Sequence, residues 1–129
     1  LIDLYSIVRL DERTLWQAID NIDVKYEDWT ARKEYEGTKP LLSVYIETNA
    51  PVSTEVLQNK IHDELQKNCP LYAEAIQEMQ TNPISVRIIA PGSFNKYYEK
   101  KRAEGADLAH LKPPHINASD AVIDLLLGR

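Results

Sequence analysis

The sequence contains a single cysteine, Cys69, and no long apolar run. One cysteine excludes a disulfide within the chain and agrees with a reducing compartment, so we expect a cytoplasmic protein. The longest apolar stretches, such as residues 125–127, fall far short of the ~20 residues that span a membrane. Asp3, Arg9 and Asp11 interrupt the first segment, which therefore lacks the apolar centre of a secretory signal peptide.

Glycine is also scarce, with four residues in the whole chain. Neither the phosphate-loop pattern Gly-x-x-x-x-Gly-Lys-Ser/Thr nor the dinucleotide pattern Gly-x-Gly-x-x-Gly occurs. The three histidines, His62, His110 and His115, are scattered, and one cysteine cannot build the usual zinc clusters. We therefore predict no metal site, and we interpret Cys69 as a packed residue and not as a nucleophile.

Net positive charge is missing as well, because the formal charge at neutral pH is -5. Domains that bind nucleic acid usually carry a basic field. One predicted helix mixes basic and acidic side chains: Lys96, Glu99, Lys100, Lys101, Arg102 and Glu104. Such mixing is typical of a solvated helix face. Phe94, Tyr97 and Tyr98 on that helix indicate a core stripe more than a base-stacking platform. We predict neither nucleic acid nor membrane as a partner.

Apolar periodicity and turn-forming residues predict alternating strands and helices. The predicted elements are a strand over 1–10, a helix ending near Ile22, strands over 25–36 and 41–48, helices over 54–68 and 71–80, a strand over 84–90, and helices ending near Glu104 and at Gly128. This order predicts an α+β fold in which a small, mostly antiparallel sheet of about four strands packs with helices, a ferredoxin-like α/β sandwich. We predict a single domain over residues 1–129.

The ends of these elements carry recognisable signals. Asp11, Ser53, Ser93 and Ser119 are predicted helix N-caps, and Gly105 is predicted to follow a helix C-terminus. Pro70 is expected to break the long helix. The two central strands are predicted to form a hairpin with a loop of about four or five residues.

Two sets of regularly spaced apolar side chains predict where the core lies. Leu57, Ile61 and Leu65 recur every fourth residue along the long helix, and Leu42, Val44 and Ile46 share one face of a strand. The first residue, Leu1, opens what is predicted to be a strand, and no methionine precedes it. We therefore expect the sequence to be a piece of a larger protein.

Lys112 differs from the other lysines in its surroundings. Pro113 and Pro114 follow it directly, and their fixed φ angles stiffen the loop. A lysine on a stiff loop can deliver a point charge to a phosphate group. An ordinary surface lysine is the alternative that residue type alone leaves open.

The segment 91–116 and the residues after it resemble a known family. Gly92-Ser93-Phe94, a helix, Gly105, Lys112 and Pro114 fill a pattern similar to the C-terminal domain of the Gretchen Hagen acyl acid–amido synthetases, the auxin-responsive promoter family of plants and its bacterial relatives. Asn68 and Tyr72 resemble the helix link that precedes it. The likeness covers residues 66–127 and rests on element order over 11–65.

Two positions depart from the family pattern. His115 stands where the family usually has arginine, which would weaken an anion clamp at neutral pH unless the imidazole is protonated. The family's Gly-Glu-Lys hinge segment is absent, and "LYSIVRLDE" occupies that region.

The resemblance implies a lid domain of an adenylate-forming ligase. Such an enzyme uses ATP and Mg²⁺, bound mainly by a large N-terminal adenylation domain, to convert a carboxylate to an acyl adenylate, which an amine such as an amino acid then attacks. The resemblance also implies a catalytic role for Lys112 near the phosphates, nucleotide contacts from Lys112 and His115, and an inactive isolated domain. It leaves open whether coenzyme A replaces the amine. The alternative hypothesis is a non-catalytic ligand-binding or protein-interaction module with a ferredoxin-like sheet.

Overall fold

The structure, a computed structural model, describes residues 1–129 and begins with a small hairpin. Strands β1 (Ile2–Leu4) and β2 (Val8–Leu10) pair antiparallel, so the predicted single strand over residues 1–10 is wrong. Tyr5 and Ser6 both adopt positive φ angles, of 54° and 65°, and this turn folds the chain back on itself. The sequence signal was missed because neither residue is a glycine, the usual residue for that conformation.

The second sheet has three strands in the order β3 (Tyr26–Glu36), β4 (Lys39–Thr48) and β5 (Ile84–Ile88). β3 and β4 form the predicted antiparallel hairpin, but only Gly37 and Thr38 separate them, a shorter loop than expected. The α+β class with mostly antiparallel strands is confirmed. The predicted sheet of about four strands is instead divided into one sheet of two strands and one of three.

β5 runs parallel to β4, and the two helices between them along the chain form the crossover connection that parallel strands need. Helix α2 (Thr54–Asn68) has the predicted bounds and begins where the Ser53 hydroxyl accepts a hydrogen bond from the Val56 amide at 3.1 Å. Helix α3 (Pro70–Met79) follows at once. Pro70 thus separates the helices as predicted, and it also opens the second one, a position that its missing N–H suits.

Three further helices complete the chain: α1 (Glu12–Asp20), α4 (Ser93–Ala103) and α5 (Asp120–Leu126). The predicted N-caps Asp11 and Ser119 are confirmed, since their side chains accept hydrogen bonds from backbone amides three residues on. Gly105 follows the C-terminus of α4 with a φ of +80°, as predicted for that position.

The two faces of the three-stranded sheet carry cores of unequal size. Leu42, Val44 and Ile46 of β4 belong to a cluster of 21 buried residues that also takes in the small hairpin and helices α1 to α3. The predicted stripe Leu57, Ile61 and Leu65 is fully buried in this cluster. Tyr45, which points the other way from β4, belongs to a second cluster of 7 buried residues with α4 and α5.

None of the helices is both long enough and apolar enough to cross a bilayer.

Candidate functional site

The loop over residues 111–118, called the Lys112 loop below, runs along the outer edge of β3. The Thr30 hydroxyl donates to the Pro114 carbonyl at 2.6 Å, and the Ala31 amide donates to the His115 carbonyl at 2.8 Å. The Asn117 amide in turn donates to the Ala31 carbonyl at 2.9 Å. These bonds hold the loop as a short, parallel extension of the sheet.

Lys112 is exposed between two buried neighbours. Leu111 before it and Pro113 after it are buried, whereas the lysine side chain faces solvent. The basic groups that form ion pairs in this chain are other residues, so the ammonium group of Lys112 has no acidic partner. A lysine ammonium without an acidic partner, on a backbone held in place, is suited to contact an external anion.

Two concave surfaces meet at Lys112. A groove of 860 Å³ lies on one side and is lined by Tyr97, Lys101, Glu104, His110 and His115, among others. A depression of 310 Å³ lies on the other side, beside Asp28, Phe94, Asn95 and Tyr98. Lys112 and Pro113 line both and therefore form the ridge between them.

His115 is held between two carboxylates. Its Nε2 lies 2.9 Å from Asp28 Oδ1, and its Nδ1 lies 3.2 Å from Glu12 Oε1. The hydrogen bond with Asp28 raises the pKa of His115 above its ordinary value, the Glu12 contact adds to the rise, and partial burial opposes it. The ring therefore keeps its proton to higher pH than a free imidazole, and the protonated form donates to both acids.

Two tryptophans enclose the same ring. Trp29 stacks on His115 with a centroid distance of 4.5 Å and an interplanar angle of 18°. Trp16 lies in a T-shaped arrangement with the same ring, with a centroid distance of 4.5 Å and an interplanar angle of 70°. A cation beside an indole face is stabilised by the ring quadrupole, so the aromatic contacts and the carboxylates favour the same protonated state.

Lys112 and His115, the two predicted site residues, thus lie on one loop and line one groove. Their surroundings differ, because Lys112 is free of partners and both ring nitrogens of His115 are occupied within the chain. Their predicted contacts with a nucleotide stay predictions. Sequence reasoning missed Glu12 and Asp28, which lie 103 and 87 residues from His115 and belong to no short motif.

The Gly92-Ser93-Phe94 turn is fixed from below by a buried acid. Glu47, only 5% exposed, accepts hydrogen bonds from the amides of Gly92 and Phe94, each at 2.9 Å. Gly92 has a φ of +86°, which favours glycine, and it is the residue that caps α4. The predicted N-cap Ser93 is wrong, because its hydroxyl donates to the Ala90 carbonyl at 2.6 Å instead.

The Asn68 and Tyr72 segment is structural. Tyr72 is fully buried, and its hydroxyl lies 2.6 Å from Nδ1 of His62 on α2. Burial lowers the pKa of His62, with Asp63 opposing that shift, so this ring favours the neutral form. The segment joins α2 to α3 and contributes no side chain to the grooves beside Lys112.

The third histidine lies at the rim of the larger groove. His110 ends a short 3-10 turn over residues 108–110, and its Nδ1 lies 2.6 Å from Asp107 Oδ1. Both side chains are well exposed. No group of three or more histidine, cysteine, aspartate or glutamate side chains is arranged so that it could hold a metal ion.

Comparison with protein families gives one match that spans most of the chain. The family model described as "GH3 family C-terminal domain" matches residues 12–121. This range includes the Lys112 loop, Glu12 and Asp28. Among curated proteins, none matches the chain by sequence.

Solved structures share the fold. "AtGH3.15 acyl acid amido synthetase in complex with 2,4-DB" is similar with a TM-score of 0.73 and 14% identity over 99% of this chain and 25% of that one. "GH3.15 acyl acid amido synthetase" is similar with a TM-score of 0.69 and 14% identity over 95% of this chain and 26% of that one. The chain thus spans about a quarter of the length of these similar proteins.

Proposed function

The chain belongs to the GH3 family, whose C-terminal domain it matches, and from that premise we propose that it is the lid of an ATP-dependent acyl-adenylating ligase. The ligase would join a carboxylic acid to an amine such as an amino acid. The family resemblance noted for residues 91–116 is confirmed by the match. The names of the two similar structures, which call them acyl acid amido synthetases, support an amide-forming reaction.

The remainder of the activity is assigned to a larger partner domain. Because the chain covers about a quarter of the similar proteins, the proposal places a large N-terminal adenylation domain in the same parent protein. That domain would hold most of the ATP and the Mg²⁺ ion, together with the acyl acid. The present chain would contribute its residues when it closes over the bound nucleotide.

The position of Lys112 carries the proposal. It is an exposed cation without an acidic partner, on a backbone fixed to β3, at the ridge between two concave surfaces. When a carboxylate attacks the α-phosphate of ATP, negative charge builds up on the departing pyrophosphate. A lysine brought there by closure would stabilise that charge in a site from which water is largely excluded.

The test is Lys112→Ala in the parent enzyme. Carboxylate-dependent exchange of labelled pyrophosphate into ATP, which reports adenylate formation, should slow by about 30- to 1000-fold. Amide formation from a pre-made acyl adenylate should be less affected, because the pyrophosphate has already left. Folding stability should barely change, since an exposed lysine contributes little to it.

Lys100→Ala is the matched control. Lys100 is also exposed, but it lies on α4 and pairs with Glu104 at 3.4 Å. Its replacement should leave both half-reactions nearly intact. Pyrophosphate exchange by Lys112→Ala at the wild-type rate would contradict the catalytic role and favour a non-catalytic binding module.

A further inference from the structure

The geometry points to His115 as a positioning residue that braces the Lys112 loop against α1 and β3 and does not itself contact the nucleotide. This inference rests on the proposed role of Lys112 in phosphate chemistry. In place of the nucleotide contact that the family resemblance implies for His115, the side chain then contacts other residues of the chain. The brace consists of His115, Glu12, Asp28, Trp16 and Trp29.

The contacts of the ring leave it no free donor. Nε2 faces Asp28 Oδ1 at 2.9 Å, and Nδ1 faces Glu12 Oε1 at 3.2 Å. A protonated imidazole therefore donates both of its N–H groups to acids of the same chain. A phosphate oxygen would have to displace one of these carboxylates. The side chain is only 18% exposed, and both tryptophans pack against the ring.

The brace joins three separate parts of the chain. Glu12 and Trp16 lie on α1, Asp28 and Trp29 lie on β3, and His115 lies on the Lys112 loop. Each acid faces the ring from a different element, and a protonated ring places one positive charge between them. A neutral side chain at this position would remove the positive charge from between the two carboxylates and weaken the contacts that hold the loop to α1 and β3.

The short segment between His115 and Lys112 couples the position of the lysine to that of the histidine. Only Pro113 and Pro114 separate the two residues, and their φ angles are fixed. The Pro114 carbonyl is also held by the Thr30 hydroxyl at 2.6 Å. A shift of the ring away from its acids would therefore move the lysine, and displacements of about 1 Å can cost on the order of 100-fold in rate.

The kinetic test uses His115→Gln in the parent enzyme. Pyrophosphate exchange should slow by roughly 10- to 100-fold through kcat, while KM for ATP stays close to the wild-type value. His115→Arg should recover most of the rate, because arginine keeps a cation between the two acids. A rise in KM for ATP at unchanged kcat would overturn the inference, since it would indicate a direct nucleotide contact.

A double-mutant cycle shows whether His115 acts through Lys112. In the Lys112→Ala background, His115→Gln should produce little further loss of pyrophosphate exchange, because the lysine that it positions is gone. Fully additive losses would overturn the inference. Asp28→Asn offers a second variant that weakens the same brace while leaving the histidine in place.

A measurement without catalysis separates this inference from the proposed function. In the intact parent protein, deuterium uptake by the backbone amides of peptides covering residues 27–36 and 111–118 should speed up in His115→Gln, because the Ala31 and Asn117 amides bond across this contact. Peptides from α2 should keep their wild-type uptake, which shows that the variant folds. His110→Gln, an exposed histidine on the same groove, is the matched control.

The two proposals then fail in different ways. Unchanged deuterium uptake in His115→Gln would overturn the brace whatever the activity shows. Full activity in Lys112→Ala would instead overturn the proposed function, and faster uptake in His115→Gln would still support the brace.

Discussion

The two faces of strand β4 carry side chains of different polarity. Leu42, Val44 and Ile46 face the large apolar cluster and are fully buried there. The alternate residues point to the opposite face and are also buried, but they carry polar atoms: Ser43, Tyr45 and Glu47. The first, apolar face therefore supplies most of the hydrophobic stabilisation. The second, called the polar face below, has a smaller apolar cluster and fixes polar groups that must each find a partner.

The partners on the polar face come from the neighbouring strand β3 and from the C-terminal part of the chain. Glu34 accepts hydrogen bonds from the Tyr45 hydroxyl at 2.6 Å and from Arg32 Nε at 2.8 Å, and Arg32 also pairs with Asp120 of α5 at 2.7 Å. Burial and the Glu34 contact raise the pKa of Tyr45 to about 12. Glu47 holds the turn before α4. The polar face thus orients α4 and α5, whereas the apolar face builds the body of the domain.

Neighbouring substitutions on β4 should separate these two contributions, and the larger effect is expected from Ile46→Ala. Ile46 is fully buried on the apolar face, so its truncation should lower the free energy of unfolding by about 2–5 kcal/mol. Urea denaturation of the 129-residue chain measures the loss. Ile46→Val removes a single methylene and should cost about 0.5–1.5 kcal/mol. Equal costs for the two variants would show that this face is not tightly packed.

Glu47→Gln is the corresponding change on the polar face, with a smaller expected effect. The two amides bond to different carboxylate oxygens, Gly92 to Oε2 and Phe94 to Oε1, and glutamine has an NH₂ group in place of one of these oxygens. The unpaired donor should lower the free energy of unfolding by about 1–3 kcal/mol in the same urea assay. Glu99→Gln, exposed on α4, serves as control and should leave stability unchanged. A neutral Glu47→Gln would show that the turn holds without its acid.

Sequence reasoning recovered the features that depend on local signals. The bounds of α2 and its buried stripe of Leu57 and Ile61 were predicted from apolar residues four positions apart and from the Ser53 cap. The structure confirms both. The turn at Tyr5 was missed because residues other than glycine adopt its positive φ angles, and the division into two sheets was missed because local patterns do not report which strands share a sheet.

The candidate site, too, could be predicted from the sequence only in part. The stiff loop around Lys112 was recognisable from its prolines and from family resemblance. The surroundings of His115 were not, because Glu12 and Asp28 meet it only after the chain has folded. Spacing within a motif reports local geometry and carries no information about which distant acids will face a histidine.

The smallest expected effect concerns two partly buried histidines whose surroundings are opposite. His62 packs against Tyr72 with its pKa lowered by burial, and His115 has its pKa raised, chiefly by Asp28. The unfolded chain binds more protons than the folded chain at His62, so that contribution to stability is lost as pH falls below the ordinary value of 6.5. At His115 the folded chain binds more protons than the unfolded chain, so its contribution to stability is present below pH 6.5 and is lost as pH rises through the folded pKa.

Urea denaturation between about pH 5 and 9 gives the free energy of unfolding as a function of pH. His62→Gln should flatten the acid limb of this curve, and His115→Gln should flatten its alkaline limb. An alkaline limb that His115→Gln leaves unchanged would mean that the ring between the two acids is neutral, which would contradict a charged brace.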